Sequence, residues 1–223
     1  MSERIVNKIS QFVWSFGERI NIYEHHTLRY TDEILNAILS ESETKPWRTY
    51  VNALENYVDW LYIHSINVAI ISLMIAVKMK YNDDEMWHIG LGAFLHDVGK
   101  LLIPKSIIQK PKHLSHQEVV FIRRHCELGV SSLDLCCLPK ECTDIVLQHH
   151  ERLDGSGYPR SLIKNEISPN AKIVMIADVV DAITSGRPYR ASREMGEAIK
   201  ILRNDKGRFC GELVTILEKM MKK

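Results

Sequence analysis

Apolar residues recur along this chain mostly at three- and four-residue intervals, the period of helices with one buried face. Strand-like alternation closed by Asn-Gly or Gly-Gly turns is scarce. Residues 3–16 and 29–40 read as two amphipathic helices, separated by a stretch around 21–27. The polar run from Glu41 to Lys45, closed by Pro46 and Trp47, predicts a boundary. It divides residues 1–46, an N-terminal helical segment, from a main body at 47–223. A long apolar helix is expected from Arg48 to Lys80, with a break near Asp59. Asn82 and Glu85 form a capping box that opens a helix reaching Val98 and stopping at Gly99, read as a left-handed C-terminal position. Ser115 and Glu118 form a second capping box, opening a helix that carries His125. Pro139 starts a helix ending at His149 and His150, and residues 153–167 are a loop. Ser168-Pro169 opens a helix to about Ser185, and two more follow near 192–204 and 210–221. The expected fold class is all-α.

Composition narrows the function classes. Lys and Arg total 29 against 28 Asp and Glu, a balance that leaves no electrostatic footprint for DNA or RNA. An anionic ligand must then be held locally, by metals or a few placed cations. The 5 cysteines (Cys126, Cys136, Cys137, Cys142, Cys210) are odd in number, lack paired CxxC spacing and read as buried reduced thiols. No leader is legible, and the run Val68–Val77 is too short for a membrane span. A cytoplasmic location is the default expectation.

The chemistry concentrates in His96-Asp97-Val98-Gly99-Lys100 and in the segment His149 to Pro159. Asp97 closes an apolar run, where a carboxylate is costly unless a cation meets it. A metal meets that need; an ion pair with Lys100 is the alternative. The candidate metal donors are His64, His96, Asp97, His125, His149, His150 and Asp178, types suited to iron, manganese or zinc. Taken alone, His64 also reads as a core histidine and His125 as a solvated one. Asp178 and Asp181 share a helical face; Asp178 is expected inside and Asp181 nearer the surface as a structural residue. Two ions about 3.5–4 Å apart can share a hydroxide and clamp phosphate oxygens, which accounts for so many donors and a bridging carboxylate. Lys100 is placed to meet a phosphate oxygen. Asp154, Gly155, Gly157, Tyr158 and Pro159 make a stiff loop directly after the paired histidines. Arg187, Tyr189 and Arg190 offer phosphate binding and base stacking, or a plain solvated loop.

At these residues the chain resembles the HD-GYP branch of the HD-domain metal-dependent phosphohydrolases. The likeness runs from about residue 50 to 220 and joins an HDxGK motif to an HHExxDGxGYP motif, with His64, His125, Gly129, Asp178 and Arg187–Arg190 between and after them. It implies an HD-domain helical bundle with the GYP loop and a short N-terminal extension. It also implies hydrolysis of cyclic di-GMP to pGpG and/or GMP in bacterial signalling. Carried onto this chain, His64, His96, Asp97 and Asp178 hold one iron or manganese ion. Asp97, His125, His149 and His150 hold the other, Asp97 bridges, and Lys100 contacts the scissile phosphate. Trinuclear members have a glutamate one turn before the first histidine; Trp60 stands there, so two ions are expected. The resemblance further implies contacts of the GYP loop with partners such as diguanylate cyclase (GGDEF) domains. Another cyclic dinucleotide such as cyclic GMP-AMP, or a non-catalytic module binding messenger or cyclase, is the alternative. Residues 1–46 are open to reading as a homodimerisation or docking segment, the stub of a larger regulator, or a helical cap on the core.

Overall fold

A computed structural model of the chain describes residues 3–19, 24–111, 113–186, 192–205 and 207–221. Its helices are α1 (Glu3–Arg19), α2 (His25–Glu41), α3 (Arg48–Tyr57), α4 (Asp59–Lys78), α5 (Asp83–Leu95), α6 (Lys105–Ile108), α7 (His116–Arg123), α8 (His125–Leu133), α9 (Lys140–Gln148), α10 (Pro169–Thr184), α11 (Met195–Asn204) and α12 (Gly211–Met220). The described residues form no strand; an isolated bridge joins Asp154 to Ile163. The all-α expectation holds.

Sequence explains the arrangement. Helix α4 is apolar around nearly its whole circumference, so it can only be central, and α2, α3, α5 and α10 pack around it. Its Trp60–Lys78 stretch is apolar and long enough for a membrane span, but 83% of it is buried inside the protein, as a core helix requires. Helix α5 is buried over Ile89–Leu95 and meets α9 where Gly92 leaves no room for a side chain: an added Cβ would lie 3.2 Å from the Cys142 backbone. Both capping boxes form, Asn82 with Glu85 and Ser115 with Glu118, each stabilising its helix start by about 1 kcal/mol. Ser168 caps α10 through Ala171 N–H, with Pro169 in the first turn. Leu28, Leu35 and Ile38 of α2 and Val13 and Phe16 of α1 join the same apolar core as α4 and α5.

The expected break near Asp59 falls at Val58, which is extended (φ −148°, ψ 122°) and buries its side chain. Other local expectations are corrected. Helix α5 stops at Leu95; Val98–Leu102 then forms a tight 3-10 turn. Gly99 is therefore no left-handed cap. It is glycine because a Cβ there would lie 1.9 Å from the His125 carbonyl oxygen. His125 opens α8 instead of riding mid-helix, since the chain kinks at Arg124. Cys126, Cys136 and Cys142 are buried, but Cys210 is only half-buried and Cys137 is exposed at φ 50°, terminating the turn Asp134–Cys136.

Candidate metal centre

Every candidate donor is carried to one place by the helices around α4. His64 comes from mid-α4, His96 and Asp97 from the end of α5, His125 from the start of α8, His149 and His150 from the end of α9, and Asp178 from α10. Their donor atoms form two groups, each within 4.8 Å: Asp97, His125, His149 and His150, and His64, His96 and Asp178. His64, His96, Asp97, His125 and His149 are buried, and His150 is partly open.

Asp97 stands between the groups. Its Oδ2 is 3.4 Å from His96 Nε2 and 3.6 Å from His64 Nε2. Its Oδ1 is 3.3 Å from His125 Nε2 and 3.8 Å from His149 Nε2. One carboxylate thus turns one oxygen to each set of imidazoles. Asp178 also reaches both sides, with Oδ1 3.2 Å from His64 Nε2 and Oδ2 3.8 Å from His150 Nδ1.

Nδ1 hydrogen bonds orient the buried rings. His96 donates to Ala93 O at 2.7 Å, His125 to Ile122 O at 2.7 Å, and His149 to Val146 O at 3.0 Å. His64 Nδ1 meets Asp181 Oδ2 at 2.7 Å. Fixing the proton on Nδ1 leaves each Nε2 lone pair facing inward, the arrangement a metal-binding histidine requires. The buried atoms His64 Nε2, His96 Nε2 and Asp97 Oδ1 have no hydrogen-bond partner. Orphaned acceptors at that depth are costly, and a shared cation satisfies them together. The residues present therefore fit a metal centre.

Electrostatics agree. Burial alone would raise the Asp97 carboxyl, but Lys100 and His96 outweigh it and hold it well below the usual carboxylate range. Burial also opposes ionised Asp178, and His64 with His150 keeps it ionised. Burial, reinforced by the Lys100 ammonium, pushes His125 down to about 3. Burial likewise lowers His149 and His150. For His64, burial works against the charge, yet Asp178 and Asp181 raise it to about 9. The lowered imidazoles contribute stability that is present above their ordinary value of 6.5 and lost as pH falls below it. His64 contributes stability that is complete below 6.5 and lost as pH rises through about 9. The metal-stripped protein should therefore resist heat best near neutrality. Thermal unfolding followed from pH 5 to 9 checks this; a midpoint that climbs steadily across that range would contradict it.

Some functional residues escaped the sequence. Asp181, expected near the surface, is 1% exposed; it binds His64 and accepts from Asn67 Nδ2 at 2.8 Å. It is buried because α10 lays its Asp178–Asp181 face directly on α4. Glu151, fully buried, accepts from Arg160 N–H at 2.7 Å and Leu162 N–H at 2.9 Å, pinning the Asp154–Pro159 loop. Gly157 is required there, since a Cβ would lie 2.4 Å from the Glu151 backbone. The loop is closed further by Asp154, which accepts from Ser156 N–H at 3.0 Å, and by Gly155 at φ 79°. Tyr158 stacks on His150 with ring centroids 4.7 Å apart, and the Arg123 guanidinium lies over the same ring, 4.9 Å from its centroid. Lys100 Nζ contacts Asp97 Oδ2. Arg187, Tyr189 and Arg190 lie outside the described residues.

A family model described as HD domain matches residues 48–213. Over 152 residues the chain is 36% identical to cyclic di-GMP phosphodiesterase PA4108 of Pseudomonas aeruginosa, covering 68% of this chain and 37% of that protein. Over 162 residues it is 34% identical to 3'3'-cGAMP-specific phosphodiesterase 1 of Vibrio cholerae, covering 73% of this chain and 37% of that protein. The chain thus spans little more than a third of the length of either relative. In fold it is similar to Bd1817, an HDG"Y"P protein from Bdellovibrio bacteriovorus, with a TM-score of 0.64 at 18% identity, covering 97% of this chain and 70% of that one. HD-domain phosphohydrolases use divalent metals, and the paired His/Asp groups supply suitable donors. From the HDxGK and HHExxDGxGYP motifs, the helical fold and the matched model, the chain belongs to the HD-domain family, in its HD-GYP branch.

Proposed function

We propose that this chain is a metal-dependent phosphodiesterase domain that hydrolyses cyclic di-GMP to pGpG and/or GMP. The observation that carries the reading is Asp97, whose two oxygens face separate imidazole groups, as a carboxylate shared by two ions would. His64, His96 and Asp178 would hold one ion, and His125, His149 and His150 the other. Nitrogen and oxygen donors of this kind suit iron or manganese. When bound, the ions supply an activated water and neutralise charge on the phosphate.

The chain's own residues have distinct tasks. The Nδ1 bonds aim the rings of His96, His125 and His149, and burial keeps His125, His149 and His150 neutral. Asp181 fixes His64 from behind, and Tyr158 fixes the partly open His150. Lys100, 14% exposed at the rim of the buried centre, supplies the cation for a phosphate oxygen once metal relieves it of Asp97. Arg187, Tyr189 and Arg190 are the proposed contacts to the rest of the dinucleotide. The exposed side of the Asp154–Pro159 loop is the proposed face for a GGDEF partner, and a cytoplasmic setting, where such messengers act, completes the reading.

A second substrate, 3'3'-cGAMP, is favoured by the 34% identical relative named for it. Anaerobically purified protein with its metals measured, given both dinucleotides and followed by product chromatography, tests the function. Release of pGpG or GMP from cyclic di-GMP is expected. Turnover of cyclic GMP-AMP alone would move the assignment to that substrate, and inertness of metal-loaded protein toward both would overturn it. Lys100→Ala should retain metal and slow turnover about 100-fold, the scale of one removed charge-stabilising group. Unchanged kinetics would remove Lys100 from the reaction.

A further inference from the structure

One candidate ligand ring is held differently from the rest. His64, His96, His125 and His149 each have Nδ1 fixed by a hydrogen bond. Among the described residues none fixes His150, whose Nδ1 stands 3.8 Å from Asp178 Oδ2, too far for one. Its ring is held by aromatic contact instead. Tyr158 stacks on it at an interplanar angle of 28° and meets His125 edge-on, with centroids 6.4 Å apart. The Tyr158 N–H also donates to His150 O at 3.1 Å. Over the Tyr158 ring lies the guanidinium of Arg123, the last residue of α7. Arg123 is exposed, and among the described residues its side chain has no ion pair or hydrogen bond; its contact is the Tyr158 ring. Its backbone is tied to the same centre, because the adjacent Ile122 O accepts from His125 Nδ1.

We infer that Arg123 is a positioning residue for His150, acting through Tyr158. This rests on the metal-centre reading above. A cation is attracted to the negative face of an aromatic ring. That attraction holds the Tyr158 ring in place, and the ring in turn limits rotation of the one imidazole that lacks an Nδ1 anchor. The clamp joins the start of α8, which supplies His125, to the loop that follows His150. It therefore serves the ion on the His125, His149 and His150 side and leaves the His64, His96 and Asp178 group untouched. The competing role is a direct contact of the exposed guanidinium with a substrate phosphate, which predicts weaker substrate binding and unchanged metal binding.

Manganese titration, read by the electron paramagnetic resonance of the free ion, and kinetics with cyclic di-GMP separate the two. Arg123→Gln removes the charge, and Arg123→Lys keeps a cation; the position is exposed, so both should fold. Arg123→Gln should bind one of the two ions about fivefold more weakly, the scale of one cation–π contact, and the other as wild type does. At limiting metal its kcat should fall with KM unchanged, and excess manganese should restore it. Arg123→Lys should keep most of the affinity. In a Tyr158→Leu background, Arg123→Gln should have no further effect on metal binding, because the route through the ring is gone. Unaltered metal affinity in Arg123→Gln, an equal loss in Arg123→Lys, or a loss that persists in the Tyr158→Leu background would overturn the positioning role. So would a raised KM with metal binding unchanged, which would make Arg123 a substrate contact. Each of these leaves the metal centre standing, whereas wild-type protein that binds neither manganese nor zinc would overturn both.

Discussion

Asp97→Asn is expected to abolish turnover, by about a thousandfold or more, and to lower bound metal. Asparagine keeps the shape but removes the charge that both imidazole groups face. Two ions held close together would repel each other, and Asp97, the fully buried carboxylate facing both groups, offsets most of that repulsion, with Asp178 at the edge. A thousandfold loss corresponds to about 4 kcal/mol of transition-state stabilisation. The same substitution strips Lys100, 14% exposed, of its carboxylate partner. In the metal-free state this should cost about 3 kcal/mol, the usual scale for breaking a buried pair. Elemental analysis, steady-state kinetics and thermal unfolding of the chelated protein read the effects separately. Full activity with unchanged metal content would refute the bridging role.

Gly99→Ala is expected to be nearly as damaging, for a steric reason. The added Cβ would lie 1.9 Å from the His125 carbonyl oxygen and 2.6 Å from Gly129 N, both backbone atoms. Neither can swing aside as a flexible side chain would. The turn Val98–Leu102 and α8 must then separate, and this contact sets the distance between Asp97 and His125. A loss of about 3 kcal/mol is expected, or a fall in unfolding temperature of about 6–12 °C for a chain of this size. Metal retention should fall with it, because Asp97 Oδ1 and His125 Nε2 would no longer lie 3.3 Å apart. An alanine variant with unchanged unfolding temperature would show that the two backbones do not meet.

Gly99 also illustrates what can be read from a linear chain. Its place after an apolar run looked like a helix stop in the left-handed region. The true constraint comes from His125, which no local pattern can announce. Asp181 was misplaced for the same reason: spacing put it on the Asp178 face, but only α10 lying on α4 shows that this whole face is buried. In contrast, the Asn82, Ser115 and Ser168 caps are encoded within a few residues and were legible directly.

The helical class, most helix starts, and the identity of the histidines and aspartates that gather at the centre are legible in the linear chain. Helix periodicity and capping act over one or two turns, and metal chemistry demands particular side chains whatever surrounds them. Only the packing of helices from distant parts of the chain sets how the two oxygens of Asp97 divide, that His64 is held by Asp181, and that Tyr158 stacks at the centre. Those depend on contacts such as His64 with Asp181, 117 positions apart, where only the packing of whole helices sets the distance.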